Sequence, residues 1–287
     1  MVSINRFFLR YPLKKIILSF ILLGIFEQNH AQTSDSPLNN KGKIYFYWGY
    51  NRSYFSKSDI HFKGPDYNFT LYDVEAHDRP AEFDPNVYLN ILKLTIPQFN
   101  IRTGYFVSEN IGISLGYDHM KYIVDQHQDV KINGTISGDA SKKYAGTYNN
   151  DTIGLAYDFL TYEHSDGLNL VTLDFEYSGK LFETKTKKFN TEFTGGIGGI
   201  WVAPRTDARV FEKGSNNDYH VAGYSLSLKT GLRFNFFNKI FFLAQCRGGY
   251  MTLPSVLLEI RKPQRASQNF YFFEYFGAIG TYFRIGK

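Results

Sequence analysis

Beyond its first thirty or so residues the chain alternates polar and apolar positions with a period of two, through one strand-length segment after another. His220 to Phe236 shows the pattern most fully. Ala222, Tyr224, Leu226, Leu228, Thr230, Leu232, Phe234 and Phe236 fall on one face; Gly223, Ser225, Ser227, Lys229, Gly231, Arg233 and Asn235 fall on the other. A strand sends successive side chains to opposite sides, so the period predicts β-structure with one apolar and one polar surface. About eight strands are predicted: Gly42–Tyr54, Pro97–Val107, Asn110–Val124, Gly167–Leu181, Phe189–Ala203, His220–Phe236, Lys239–Leu253 and Asn269–Ile285. Tight connections at Ser108-Glu109, Phe182–Lys188 and Phe237-Asn238 alternate with long ones at 55–96, 125–166, 204–219 and 254–268. Strict alternation of this kind predicts an all-β, antiparallel up-and-down fold with turns on one rim and loops on the other.

The period does not say which face points inward, and the N-terminus decides it. Arg6, Arg10, Lys14 and Lys15 precede an apolar run from Ile16 to Phe26, and a polar stretch then leads to Ala31. This reads as a cleaved secretory signal peptide over residues 1–31. The run is far shorter than the ~20 residues of a spanning helix. A linker, 32–41, and a transmembrane β-barrel, 42–287, follow. Removing the signal takes four of the 32 basic residues and one of the 27 acidic ones, leaving 28 and 26, so no nucleic-acid partner is expected. The lone Cys246 forms no internal disulfide and reads as a small apolar residue.

The charges support an inside-out barrel. Assigning the small, polar row of each strand to the lumen places Arg102, Lys229, Arg233, Arg247 and Arg284 inside together with Asp118, Asp174, Glu176, Glu192 and Glu274. The opposite rows hold Ile44, Phe46 and Trp48, Ile111, Ile113 and Leu115, Val171, Leu173 and Phe175, and Tyr271, Phe273 and Tyr275. A Lys or Arg facing lipid at mid-depth costs ~2–4 kcal/mol, which is why such rows exclude them. Eight strands enclose a space that side chains can fill, so the balanced set predicts a salt-bridged plug. A soluble sandwich or lipocalin-like barrel would bury the aromatic rows instead. Glycines on the charged rows (Gly104, Gly112, Gly116, Gly196, Gly198) and an aromatic share of 18% count against it.

The opening strand KIYFYWGYNRSYF (43–55), YNFTLYDVEAHDRP (67–80), IGISLGYDHMKY (111–122) and the aromatic last strand resemble exported barrels of Bacteroidota. More broadly, the mature chain is similar to small outer-membrane barrels of the OmpA/OmpX/OmpW type. The resemblance implies a bacterial outer-membrane location, contact with outer-membrane lipid and lipopolysaccharide, and an extracellular or periplasmic ligand it does not name. No cofactor is implied. The tail after Tyr282 and Phe283 departs from that class, in which the last residue is typically aromatic.

Two clusters are candidates for chemistry. Glu163, His164 and Ser165 resemble the site of lipid A deacylases of the PagL type, in which a histidine base activates serine. Adjacent residues of a strand point to opposite faces, however, and Ser165-Asp166-Gly167 is also ordinary turn chemistry. Asp73, Glu75 and His77 would share one face of a strand and could hold a divalent cation, though acidic loops are commonly just solvated. Gly195-Gly196-Ile197-Gly198-Gly199 lacks the helix and the Lys of a phosphate cradle and reads as strand. The loop segments Phe69–His77, Lys131–Ile136 and Ile153–Thr161 have strand-like pattern: they either lengthen the strands or make the barrel ten-stranded. Tyr67, Phe69, Tyr72, Tyr144, Tyr148 and Tyr157 would give the loops an aromatic contact surface. The leading expectation is a non-enzymatic barrel with binding loops; a deacylase-like hydrolase and a conduit for small hydrophobic molecules are the alternatives.

Overall fold

A computed structural model describes residues 40–90, 92–93, 96–214, 218–259 and 263–284. The expected signal peptide lies outside the described residues. In chain order the strands are β1 (Lys43–Phe55), β2 (Ser58–Gly64), β3 (Tyr67–Val74), β4 (Ala76–His77), β5 (Phe99–Phe106), β6 (Ile111–Met120), β7 (Ile123–Val124), β8 (Asp129–Ile136) and β9 (Gly146–Gly154). They continue with β10 (Leu160–Glu163), β11 (Leu168–Glu183), β12 (Phe189–Gly198), β13 (Trp201–Pro204), β14 (Asp207–Val210), β15 (Gly223–Phe236), β16 (Ile240–Leu257) and β17 (Arg265–Arg284). A short helix, α1 (Pro85–Tyr88), is capped by the Asp84 side chain, which accepts from the Asn86 amide.

The long strands pair antiparallel in the order β1-β5-β6-β11-β12-β15-β16-β17, and β1 also pairs with β17 from Lys43↔Arg284 to Phe55↔Phe272. Each of the eight therefore has two neighbours. Their alternation has a clear sense. In β15, Leu226 and Leu228 point outward, 63% and 65% exposed, whereas Ser225, Ser227 and Lys229, which alternate with them, are buried. The inward rows carry the charges and the outward rows the aliphatics and rings.

Close approach at the seam depends on a missing side chain. A Cβ on Gly49, opposite Ala278, would overlap the Gly277 carbonyl oxygen and the Ala278 backbone. Gly49→Val is expected to lower the urea midpoint of the detergent-solubilised protein by the equivalent of about 1–3 kcal/mol or more, because a backbone cannot yield as a side chain does. Gly248→Ala is the control, since its Cβ would meet the Phe272 oxygen at an ordinary 3.7 Å. Equal midpoints for the two variants would refute the steric account.

The long connections depart from the expected loops. The predicted fifth strand breaks at Gly199, whose φ of +144° ends β12 before β13 resumes between β11 and β15. Most of the expected loop 254–268 is strand, because β16 and β17 run on as a hairpin to Leu257↔Arg265, with a bulge between Leu253 and Val256. The strand-like segments of the first two loops do not enter the ring. Instead β2 pairs with β17 at Arg265–Gln268, beyond the last β1 pair, and β3, β8 and β9 follow in order. A second sheet, β14-β10-β7-β4, faces this extension. Phe62 against Tyr162 (5.7 Å between ring centres) and Phe69 against Phe159 (5.8 Å) join the two sheets in a dry core. Five of the six tyrosines and phenylalanines expected as a contact surface go elsewhere: Tyr67 and Phe69 are core, Tyr72, Tyr144 and Tyr148 are half-buried, and only Tyr157 is exposed.

Candidate functional site: the charged interior

The inward rows of β5, β6, β11, β15 and β16 converge on Asp174. Its carboxylate meets three cations: Lys229 Nζ and Arg247 Nη2, each at 2.5 Å, and Arg102 in direct contact. Glu176 is the second hub. It contacts Lys229, accepts from the Ser114 hydroxyl at 2.6 Å and from Tyr45, and stands 3.7 Å from Arg102. Asp118 completes the layer, 3.4 Å from Arg102 and 3.5 Å from Arg247. All of these side chains are buried.

Nearer the tight turns, Arg233 pairs with Glu192 at 3.2 Å, and Asn40 donates to the same carboxylate at 3.1 Å. The Arg233 guanidinium is packed among the rings of Tyr45, Phe106 and Phe241, 5.2–5.7 Å from their centres. The interior is thus layered: rings with one ion pair at the turn end, the Asp174 network in the middle, and the apolar core at the loop end.

Of the ten charges expected inside, the structure buries nine. Arg284 is the correction: the last described residue of β17, it is exposed at the rim, where the inward row has run past the wall. Glu274 is buried, but among the described residues no cation stands within salt-bridge distance; the Asn100 amide donates to it at 2.7 Å and to Asp118 at 2.9 Å. Asn100 was missed. It carries no charge, but its place on the inward row two residues before Arg102 was the available signal.

The two candidate chemical clusters do not assemble. His164 is fully buried between the rings of Tyr122 and Tyr162, and its Nδ1 meets the Thr206 hydroxyl at 3.0 Å. Ser165 donates instead to Glu163 at 2.9 Å. The serine thus has no histidine base, as the opposite faces of neighbouring residues require. Burial, with a smaller contribution from His220, pushes the His164 imidazole down to about 3, so it is a neutral packing group near pH 7. Asp73, Glu75 and His77 are likewise separated. Asp73 takes a left-handed φ of +54°, which ends the alternation; Glu75 pairs with Lys57 at 2.6 Å and His77 with Asp125. Among the described residues no three ligand-type side chains group to hold a metal.

No protein-family model matches the chain, and no curated protein matches it. Solved structures do. The outer membrane protein OprG from Pseudomonas aeruginosa aligns with a TM-score of 0.42 at 9% identity, over 87% of this chain and 100% of its own. Ail, the attachment invasion locus protein of Yersinia pestis, aligns at 0.33 and 10%, over 85% and 99%. The outer membrane protease OmpT from Escherichia coli aligns at 0.34 and 8%, over 88% and 99%.

Proposed function

We propose that the protein is an integral outer-membrane β-barrel of eight strands, of the small OmpA/OmpX/OmpW-like kind. In this reading it is non-enzymatic, its lumen is sealed by paired charges, and its loop end forms a rigid head for contacts outside the cell. One observation carries it. The long strands expose Leu115 (57%), Phe175 (57%), Leu228 (65%) and Ile279 (71%) on one side of the sheet while enclosing Arg102, Arg233 and Arg247 at 1–2% on the other. A continuous apolar belt of that extent has no stable place in water, whereas in a bilayer it is required. A ring without free edges also satisfies its backbone hydrogen bonds in lipid. Exposed Tyr54, Trp201, Tyr224 and Tyr271 lie toward the loop end of the belt, where interfacial aromatics belong.

The orientation follows from the connections: short turns face the periplasm and long ones the exterior. Filled layers from rim to rim oppose both an open pore and a conduit for hydrophobic solutes. The test has two arms. The membrane-extracted protein is expected to migrate differently on gels before and after boiling, and to give no steady large conductance in planar bilayers. Identical migration, or release from membranes by carbonate alone, would overturn the membrane assignment; a large steady conductance would overturn the seal.

A further inference from the structure

Two histidines lie together at the loop end, where the second sheet returns to the long strands. His164 follows β10, and His220 stands just before β15. Hydrogen bonding shows His220 to be a neutral ring. The Leu257 backbone N–H donates to its Nε2 at 3.0 Å, and a backbone N–H never accepts, so that nitrogen carries no proton. His164 Nδ1 meets the Thr206 hydroxyl at 3.0 Å, and its Nε2 is buried with no hydrogen-bond partner among the described residues.

The surroundings offer a positive ring little support. Around His164 stand the Tyr122 and Tyr162 rings, Thr206 and His220; its chain neighbours Glu163 and Ser165 bond to each other instead. Around the half-buried His220 are Leu257, the backbone of Asp218 and Ser255, and the Arg265 guanidinium. Neither ring has a carboxylate partner among the described residues. Burial holds the His220 imidazole below its ordinary range and Arg265 adds to the effect, although the backbone of Asp218 and Ser255 opposes them.

What the two rings hold is a junction. Leu257 is the tip of β16 and pairs with Arg265; from Arg265 to Gln268, β17 carries β2, and through it β3, β8 and β9. Thr206 leads into β14, and the His164 amide donates to the Tyr122 carbonyl at 2.7 Å, between β6 and β7. A proton on His220 Nε2 would set two N–H donors face to face. A proton on His164 would bury a charge among aromatic rings. Each charge would also repel the other, and that on His220 would repel Arg265. All of these costs vanish once the two sheets part and water reaches the rings.

We infer that His164 and His220 form an acid-released latch, whose protonation parts the second sheet from the extension while the long strands stay paired. The latch concerns the loop end alone and stands apart from the membrane reading. His164 is held at about 3 in the closed form and titrates near its ordinary 6.5 in the open one. The closed form therefore keeps its full stability above that ordinary value and loses it progressively as pH falls toward the lower one. From His164 alone the open fraction should rise about 30-fold between pH 7.5 and pH 5, where ordinary carboxylates are still mostly ionised. Hydrogen exchange of the detergent-solubilised protein, corrected for the intrinsic pH dependence of amide exchange, tests this. Opening in β2, β3, β10 and β14 is expected to rise by about 10-fold or more, against less than about 2-fold in β12 and the turn-end half of β15. In His220→Gln the side-chain oxygen can still accept from Leu257 but cannot titrate, so exchange at pH 7.5 should hold and the acid response should shrink. Adding His164→Gln should abolish the response. No acid response in the wild type, an equal one along the whole chain, or an undiminished one in the double variant would overturn the latch. Should His164→Gln loosen the loop end already at pH 7.5, His220→Gln alone decides, and an undiminished response there would overturn it too.

Discussion

Asp174→Asn is expected to destabilise the protein by about 3–5 kcal/mol, the cost of leaving buried cations without their counter-charge. The substitution changes almost no volume, so cavity formation contributes nothing. What it removes is the one carboxylate in contact with Arg102, Lys229 and Arg247 together. These three side chains are 0–2% exposed; Lys229 would keep Glu176 alone, Arg247 only Asp118 at 3.5 Å, and Arg102 only Asp118 at 3.4 Å and Glu176 at 3.7 Å. The measurement is reversible urea unfolding into and out of phospholipid vesicles, followed by tryptophan fluorescence. A loss below 1 kcal/mol would show that water enters the middle layer and hydrates the cations.

Glu274→Gln sharpens the comparison. Glu274 is as buried as Asp174, but among the described residues no cation lies within salt-bridge distance of it, and the Asn100 amide donates to it. A glutamine oxygen can accept that same bond, so this substitution should be close to neutral in the same assay. Asp174 and Glu274 are both carboxyl side chains with no exposed surface. Only their partners separate the two outcomes.

That partner difference marks where sequence reasoning ends. The long antiparallel strands and their inward charges are legible because one row of each strand tolerates charge and the other does not. Nine charges follow from row parity alone. Arg284 fails because parity continues past the point where a wall exists. Which carboxylate meets which cation is a matter of register, and a period of two carries no register. The loop end was harder still. β4 and β7 are two residues each, too short to show any period, and Tyr67 and Phe69 are buried only because a second sheet closes over them. His164 looked chemical for the same reason: its neighbours Tyr122, Tyr162 and Thr206 come from segments far from it in sequence.

Phe159→Ala is expected to cost about 3–5 kcal/mol as well, but in the head rather than the ring. Phe159 is fully buried, with the rings of Tyr144, Phe211 and Phe69 at 4.9, 5.6 and 5.8 Å, and truncation would leave a cavity lined by rigid rings that cannot collapse into it. The extension sheet β2-β3-β8-β9 joins the ring through only four residue pairs, Lys63↔Arg265 to Ile60↔Gln268. Loss of the head's packing therefore has only a narrow route into the ring. Amide exchange should accelerate by two orders of magnitude or more in β3, β8, β10 and β14, while β15, β16 and the turn-end half of β17 keep their protection. Asp174→Asn should reverse the pattern, loosening β11, β15 and β16 first. If both variants raised exchange uniformly along the chain, head and ring would be one cooperative unit, and the division of the interior into a charged middle and an apolar top would have no energetic meaning. If the two patterns separate, the inversion of inside polarity along single strands such as β16, from Arg247 to Met251 and Leu253, marks the boundary between two separately stabilised parts.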